Sequence, residues 1–376
     1  MNVAVAQPEL RDELLPLARE ITRRARSASV SPRRRETRAD TPIDGHHLYW
    51  SHLGLALGVE RFVRCSALAA GVQCPDDGDG DRLLTRVVTT LRDRLRASPV
   101  AQIPSYPGSA IWPADNTVTL LALRLYDATH DTHLADATTR AFLAAMQGRR
   151  DRSTGLYHSC VSPLWYHAIP RGCALSWTTL YLAQVAPEAA YEQYRGEREF
   201  FSRDILGMGG FREWPEGRGG SMDADSGPII LGVGMAATGL GLGAARLFHD
   251  DDRYTTIRRT TLVFGLPAWL PSHGHLLAPL LGEAMLFNGR TARPWFVSLR
   301  SVSGRAPPPW FPAVLSLGDL ALLVVVARRI RARLRDRAPA RPVERRAGDA
   351  KAPREGGIHG ERERAKRERW FGRGGG

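Results

Sequence analysis

The stretch Gly219–Arg246, GGSMDADSGPIILGVGMAATGLGLGAAR, sets two carboxylates, Asp223 and Asp225, in front of a glycine-studded apolar run. Several readings compete for it. GVGMAA (residues 232–237) fits GxGxxA, but a dinucleotide fingerprint needs a strand before it and an acid at the end of the next strand. Only PIIL precedes it, directly behind an acidic turn, and the next acids, Asp250–Asp252, fall in a polar turn. MDADSG invites an aspartyl-phosphate reading, yet the flexible EGRGGS stands where an apolar strand is required. A calcium loop lacks its third oxygen ligand and its closing Glu. The remaining reading is the acidic mouth of a buried helix. Ser226 would cap it, with Pro228 in the first turn, and Asp223 and Asp225 would sit at its start, where the dipole favours carboxylates. The glycines at 232, 234, 239, 241 and 243 are costly in a helix. They fit close backbone packing or a cavity wall.

Two other stretches repeat the design. In SYPGSAIWPADNTVTLLALR, Trp112 and Pro113 precede Asp115 and Asn116, and an apolar helix follows. In YHSCVSPLWYHAIPRGCALSWTTLYL, His158 and Cys160 precede Gly172–Cys173 and a third such helix. Three inner helices would then bring Asp115, Asp223, Asp225, His158, Cys160 and Cys173 to one rim, a set suited to acid–base catalysis. Burial would raise a carboxyl pKa and keep one acid protonated, while a thiol would act once a neighbour lowered its pKa. Tyr106, Trp112, Asn116, Trp165, Tyr166 and Trp177 are candidates to line the substrate pocket. Glu213 and Trp214 lie in a loop read as a lid over the rim. The plainer alternative is that the acids only cap helices and the cysteines only fill core. His158, Cys160 and Cys173 lack a fourth ligand at suitable spacing, so no metal is expected, and no cofactor.

Around these stretches the pattern is helical. Apolar segments alternate with amphipathic ones such as GDRLLTRVVTTLRDRLRA, and strand alternation is scarce. The expectation is an all-α double ring, apolar helices inside lining a cavity and amphipathic helices outside. Residues 1–40 read as an N-terminal helix and basic linker, 41–331 as the helical body and 332–376 as a disordered basic tail. Of the net +13, residues 328–376 carry +10, with 17 Lys+Arg against 7 Asp+Glu. The body is therefore close to neutral, which argues against a specific nucleic-acid partner. The four cysteines form no CxxC pair and no apolar leader opens the chain, so free thiols and a cytoplasmic location are expected. FPAVLSLGDLALLVVVA is short for a bilayer span and holds Asp319, so a core helix is expected there rather than a transmembrane segment. The expected partner is a small-molecule substrate, with homo-oligomerisation left open.

YPGSAIWPADNTVTLLALR, DRSTGLYHS, PRGCALSW and REWPEGRGGSMDADSGPIILGVGMAATGLGLGAAR resemble members of the linalool dehydratase/isomerase-like superfamily, over residues 45–330. The resemblance implies an (α/α)6 barrel with a central pocket. It also implies cofactor-independent chemistry on acyclic monoterpene alcohols, carried out by Asp, Tyr, His and paired Cys residues. Cys160 and Cys173 are similar to that cysteine pair, and Asp44 and Tyr49 stand where an N-terminal Asp and Tyr would fall. Asp115 and the Asp223/Asp225 pair belong to a branch distinct from the enzyme that names the superfamily. The expected function is a dehydratase-like lyase or isomerase acting on a small apolar alcohol. A carbohydrate-active α/α-barrel hydrolase or lyase and a non-catalytic ligand-binding toroid are the alternatives.

Overall fold

Pro113–His130 (α5) shows why the apolar segments become inner helices. Pro113 occupies the first turn, where its missing N–H costs nothing. From Asn116 to Leu123 every side chain is buried, so the helix is enclosed on all sides, as a segment apolar all round should be. Each fully buried leucine contributes about 1.5–3 kcal/mol. The structure, a computed structural model, describes residues 1–65, 74–76, 78–161, 169–265, 280–302 and 310–336. Among them helices dominate, as the all-α reading expects.

His47–Cys65 (α3), α5, Gly172–Leu182 (α7), Met235–Leu247 (α9) and Leu280–Thr291 (α11) pack in that order, each on the next. Outside this arc lie Arg11–Ala25 (α2) on α3, Asp79–Ala97 (α4) on α3 and α5, and Leu134–Gln147 (α6) on α5. Pro187–Phe201 (α8) covers α7, and Asp251–Gly265 (α10) covers α9. The outer helices are amphipathic. In α4, Leu83, Leu84, Val87, Val88, Leu91 and Leu95 are buried at helical spacing. Asp250 starts α10: its carboxylate accepts the Arg253 amide (3.1 Å), the Tyr194 hydroxyl (2.9 Å) and Arg198 (2.7 Å). A short helix, Asn2–Ala6 (α1), touches α11.

Two small hairpins interrupt the helices. Ser202–Ile205 (β1) pairs antiparallel with Met208–Phe211 (β2), and Ile229–Ile230 (β3) with Val233–Gly234 (β4). The second hairpin corrects the reading of the opening stretch. The helix begins at Met235, not near Ser226 and Pro228. Leu231 (φ 52) and Gly232 (φ 84) form the turn, two left-handed residues in a row, which suits the twist of a tight hairpin. Ser226 and Pro228 serve the helix with backbone rather than side chain: their carbonyls accept the Ala236 and Met235 amides at 3.2 and 3.1 Å. Gly232 thus turns a two-residue hairpin and opens no nucleotide-binding helix.

Cys65 and Cys74 form a disulfide, which overturns the expectation of four free thiols. Arg64, at the end of α3, binds the Pro75 carbonyl and Asp81, and so draws the returning chain to Cys65. Cys160 and Cys173 are free and buried. The basic stretch expected as a linker is fastened down. Thr37 is fully buried, its amide on the Arg26 carbonyl (2.8 Å) and its hydroxyl on Tyr49 (2.7 Å). The chain divides into two compact units, Met1–Leu323 and Val324–Gly376. Trp310–Asp336 forms one helix (α12), and its Val314, Leu317 and Leu322 are exposed, which corrects the expectation of a core helix there. The rest of the expected tail, 337–376, lies outside the described residues. Among the described residues no helix is long and apolar enough to cross a membrane.

Candidate active site

The segments that precede α3, α5, α7 and α9 are tied to one another at one rim. The Leu48 amide binds the Ser105 carbonyl (2.9 Å), and Asn116 holds Ile103 by both amide and carbonyl (3.0 and 3.1 Å). The Val161 amide reaches the Ile111 carbonyl (3.0 Å), and the Arg171 amide reaches Ser159 Oγ (2.8 Å). The Gly172 amide binds the Glu213 carbonyl (2.9 Å). A Cβ at Gly172 would lie 2.0 Å from the Arg212 carbonyl oxygen. Only glycine lets α7 start this close to the strand that delivers Glu213.

At the centre stands a buried charge cluster. Arg171 donates Nε–H to Glu213 (2.8 Å) and an Nη1–H to Asp223 (2.5 Å). Glu213 also accepts the Cys173 amide (3.1 Å) and the Cys173 thiol (3.1 Å). The Trp214 ring lies under the guanidinium, 5.3 Å away, a cation–π contact. Glu213 has no exposed surface, so the lid reading is corrected: the residue is a core carboxylate, not a loop acid facing solvent. Burial pushes its carboxyl above the usual range, while Cys173 and Arg171 pull it back. Arg171 holds the exposed Asp223 down at about 2.

Asp115 belongs to the same rim. Burial pushes its carboxyl up to about 6, the negative charge of Asp225 adds to the rise, and a hydrogen bond from Ser105 opposes it. Asp225 itself is exposed, in a turn where its amide binds the Asp223 carboxylate (3.1 Å). Asp115, Asp225, Asp223, Arg171, Glu213 and Cys173 are therefore connected, partly by hydrogen bonds and partly by charge. Cys173 does not become the thiolate expected of a catalytic cysteine. Burial and the neighbouring Glu213 carboxylate push its thiol far upward, the opposite of the cationic surroundings that activate thiols.

Other candidates have different roles. Asn116 is buried, and its side chain is occupied by Ile103 and the Trp112 carbonyl, so it fixes backbone instead of meeting substrate. Tyr49 donates to the Ala25 carbonyl (3.1 Å) and pairs with Thr37, away from the rim. Asp44 accepts Trp50 Nε1–H (2.9 Å), the His46 amide (3.0 Å) and Arg33 (3.0 Å), all structural. His158 sits in the hairpin-like turn that bridges Arg150 and Tyr157; Asp151 and Arg149 are the charges that act on it, and burial lowers its pKa. Cys160 is buried beside Ser159, the hydroxyl that holds Arg171. Tyr106 is exposed, and Trp112 begins α5 half-buried. Trp165 and Tyr166 lie outside the described residues.

Trp177 faces inward one turn below Cys173. Its ring lies 5.8 Å from His52 of α3 and 5.5 Å from Tyr181. Sequence reasoning missed Arg171 and His52. PRGCALSW carries an arginine ahead of a helix start, but nothing in the order of residues says which acids it will meet 42 and 52 positions later. His52 stands at helical spacing between Leu48 and Leu55 of α3, which fixes its face of the helix but does not name Trp177 as its neighbour. No cluster of metal-ligating side chains occurs among the described residues. No protein-family model matches the chain, and no curated protein matches it.

Proposed function

We propose that this protein is a cofactor-independent lyase or isomerase that removes or moves the hydroxyl of a small apolar alcohol, of the terpenoid kind. In this reading the arc of inner helices belongs to a closed (α/α)6 toroid, as the resemblance to the linalool dehydratase/isomerase-like superfamily implies. Two proton-handling groups at one rim support it: Asp115, which burial and Asp225 raise to about 6, and the Cys173–Glu213 pair at 3.1 Å. A group whose pKa lies near the working pH is an effective general acid. Protonated Asp115 gives its proton to the departing hydroxyl, and the C–O electron pair leaves with water. Cys173 Sγ takes the proton from the adjacent carbon while its own proton passes to Glu213, and the C–H electron pair becomes the new double bond. Return of a proton to one alkene carbon, with the released water adding to its neighbour and giving up a proton to the Asp115 carboxylate, completes an isomerisation. Arg171 balances the Glu213 charge throughout.

The pairing of Asp115 with Asp225 favours a second reading, a glycoside hydrolase or lyase that uses two carboxylates. Assay of acyclic ten-carbon alcohols beside uronide-containing oligosaccharides separates the two. The first reading expects alcohol turnover that falls about 100-fold or more in Glu213→Gln. Oligosaccharide cleavage that survives Glu213→Gln and vanishes in Asp115→Asn would replace it with the second.

A further inference from the structure

The opposite end of the inner helices holds a separate hollow of about 250 Å³. Leu55 and Val59 of α3, Leu121 of α5, Tyr181 of α7, Leu247 of α9 and Phe287 of α11 line it. Tyr181 lies eight residues beyond Cys173 on α7, about 12 Å along the helix axis. The polar residues at its mouth are bonded to one another. Asn2 Nδ2–H donates to Asn288 (2.8 Å), and Asn2 Oδ1 accepts Trp295 Nε1–H (2.7 Å). Gln184 binds the Arg293 carbonyl and the Trp295 amide, both at 2.9 Å. The Tyr181 hydroxyl is the exception, with no hydrogen-bond partner among the described residues. Burial alone pushes its phenol up to about 12, so it is a proton donor at any physiological pH. Among the described residues no Asp, Glu, Lys or Arg side chain lines the hollow; the Met1 α-amine does, and burial lowers its pKa, which disfavours its charged form.

A hydroxyl with no protein partner, facing walls of leucine, valine and phenylalanine, gains from a ligand that brings an acceptor to it. We propose that this hollow is a second small-molecule site, which takes a neutral, apolar molecule through one acceptor oxygen bonded to Tyr181 Oη–H. An apolar cavity of ~150 Å³ holds a benzene, so the space here suits on the order of ten non-hydrogen atoms, a ketone or alcohol with a medium-length carbon chain. The proposal does not depend on the chemistry assigned to the rim.

Nonan-2-one is the probe, titrated calorimetrically into the full chain. It should bind the unaltered protein, and Tyr181→Phe should weaken binding about tenfold, with the thermal midpoint unchanged because no partner of the hydroxyl is stranded. Val59→Trp, which fills the space, should abolish binding. Cys173→Ser should leave affinity intact. No ketone binding, equal affinity in Tyr181→Phe, or loss of binding in Cys173→Ser would each overturn the assignment. Tighter binding of nonanoate than of the ketone would overturn its neutral character.

Discussion

At the rim, Arg171 bonds Glu213 and Asp223, and Glu213 accepts the Cys173 thiol. At the other end of the same helices, Tyr181 stands alone among Leu55, Val59 and Leu121. α7 contributes to both ends: its first turn carries Cys173 and its last carries Tyr181. The difference comes from what each end packs against. The start of α7 meets the chain that leaves β2, a short strand whose continuation brings Glu213. The end of α7 meets the side chains of its helical neighbours, and the segment beyond α11 reaches it through uncharged backbone groups, the Arg293 carbonyl and the Trp295 amide. Charge is tolerated in the interior only where a second segment supplies its counter-charge, as Arg171 does for Glu213 at the rim and Arg198 of α8 does for Asp250 at the start of α10.

The largest expected effect breaks the rim. Arg171→Ala strands Glu213 with no exposed surface and should cost about 3–5 kcal/mol, read as a lower urea midpoint. Arg171→Ala with Glu213→Gln should recover much of that loss, because the stranded charge is gone. A single variant as stable as the parent would mean that Arg171 does not compensate Glu213.

A smaller effect comes from behind the rim. Glu197 of α8 is fully buried and accepts hydrogen bonds from Ser176 and Thr179 of α7. Burial raises its carboxyl from 4.5 to about 8. A carboxyl raised on folding keeps its proton in the native state while the unfolded chain loses it. Stability from this group is therefore complete below pH 4.5 and is lost as pH rises towards about 8, at a slope of up to about 1.4 kcal/mol per pH unit. Glu197→Gln should flatten that slope in denaturant titrations taken across the window; a slope that persists would assign it to another group.

The smallest effect sharpens the map of the rim. Asp225→Asn removes the like charge that helps to raise Asp115, so the Asp115 carboxyl, followed by carbon-13 NMR, should titrate lower. An unmoved titration would separate the two loops electrostatically and remove the support for paired carboxylates.

The order of residues announced the helices and most of their inner or outer placement through periodicity, because a helix enclosed on all sides must be apolar on all sides, as α5 is; α12, apolar but exposed at Val314, Leu317 and Leu322, is the exception. It also showed that Asp115, Cys173 and the Asp223/Asp225 pair each stand ahead of or at the start of an apolar run, but not that Arg171 and Asp223 would join two of those segments. It misplaced the start of α9 because Pro228 and Ser226 carry the same signals in a hairpin as in a helix cap. It also assigned substrate to Asn116, whose amide holds backbone.

The amino-acid sequence by itself determined the helical class and the alternation of buried and amphipathic helices, because these follow from contacts between residues three and four apart. Only the tertiary structure decided that Arg171 pairs with Glu213 and Asp223, that Cys173 stays a thiol, that Cys65 joins Cys74 and that Tyr181 is left without a partner. Those outcomes depend on which distant segments meet in a desolvated interior, where one neighbouring charge or its absence reverses the behaviour of a side chain, and spacing along the chain carries no record of that.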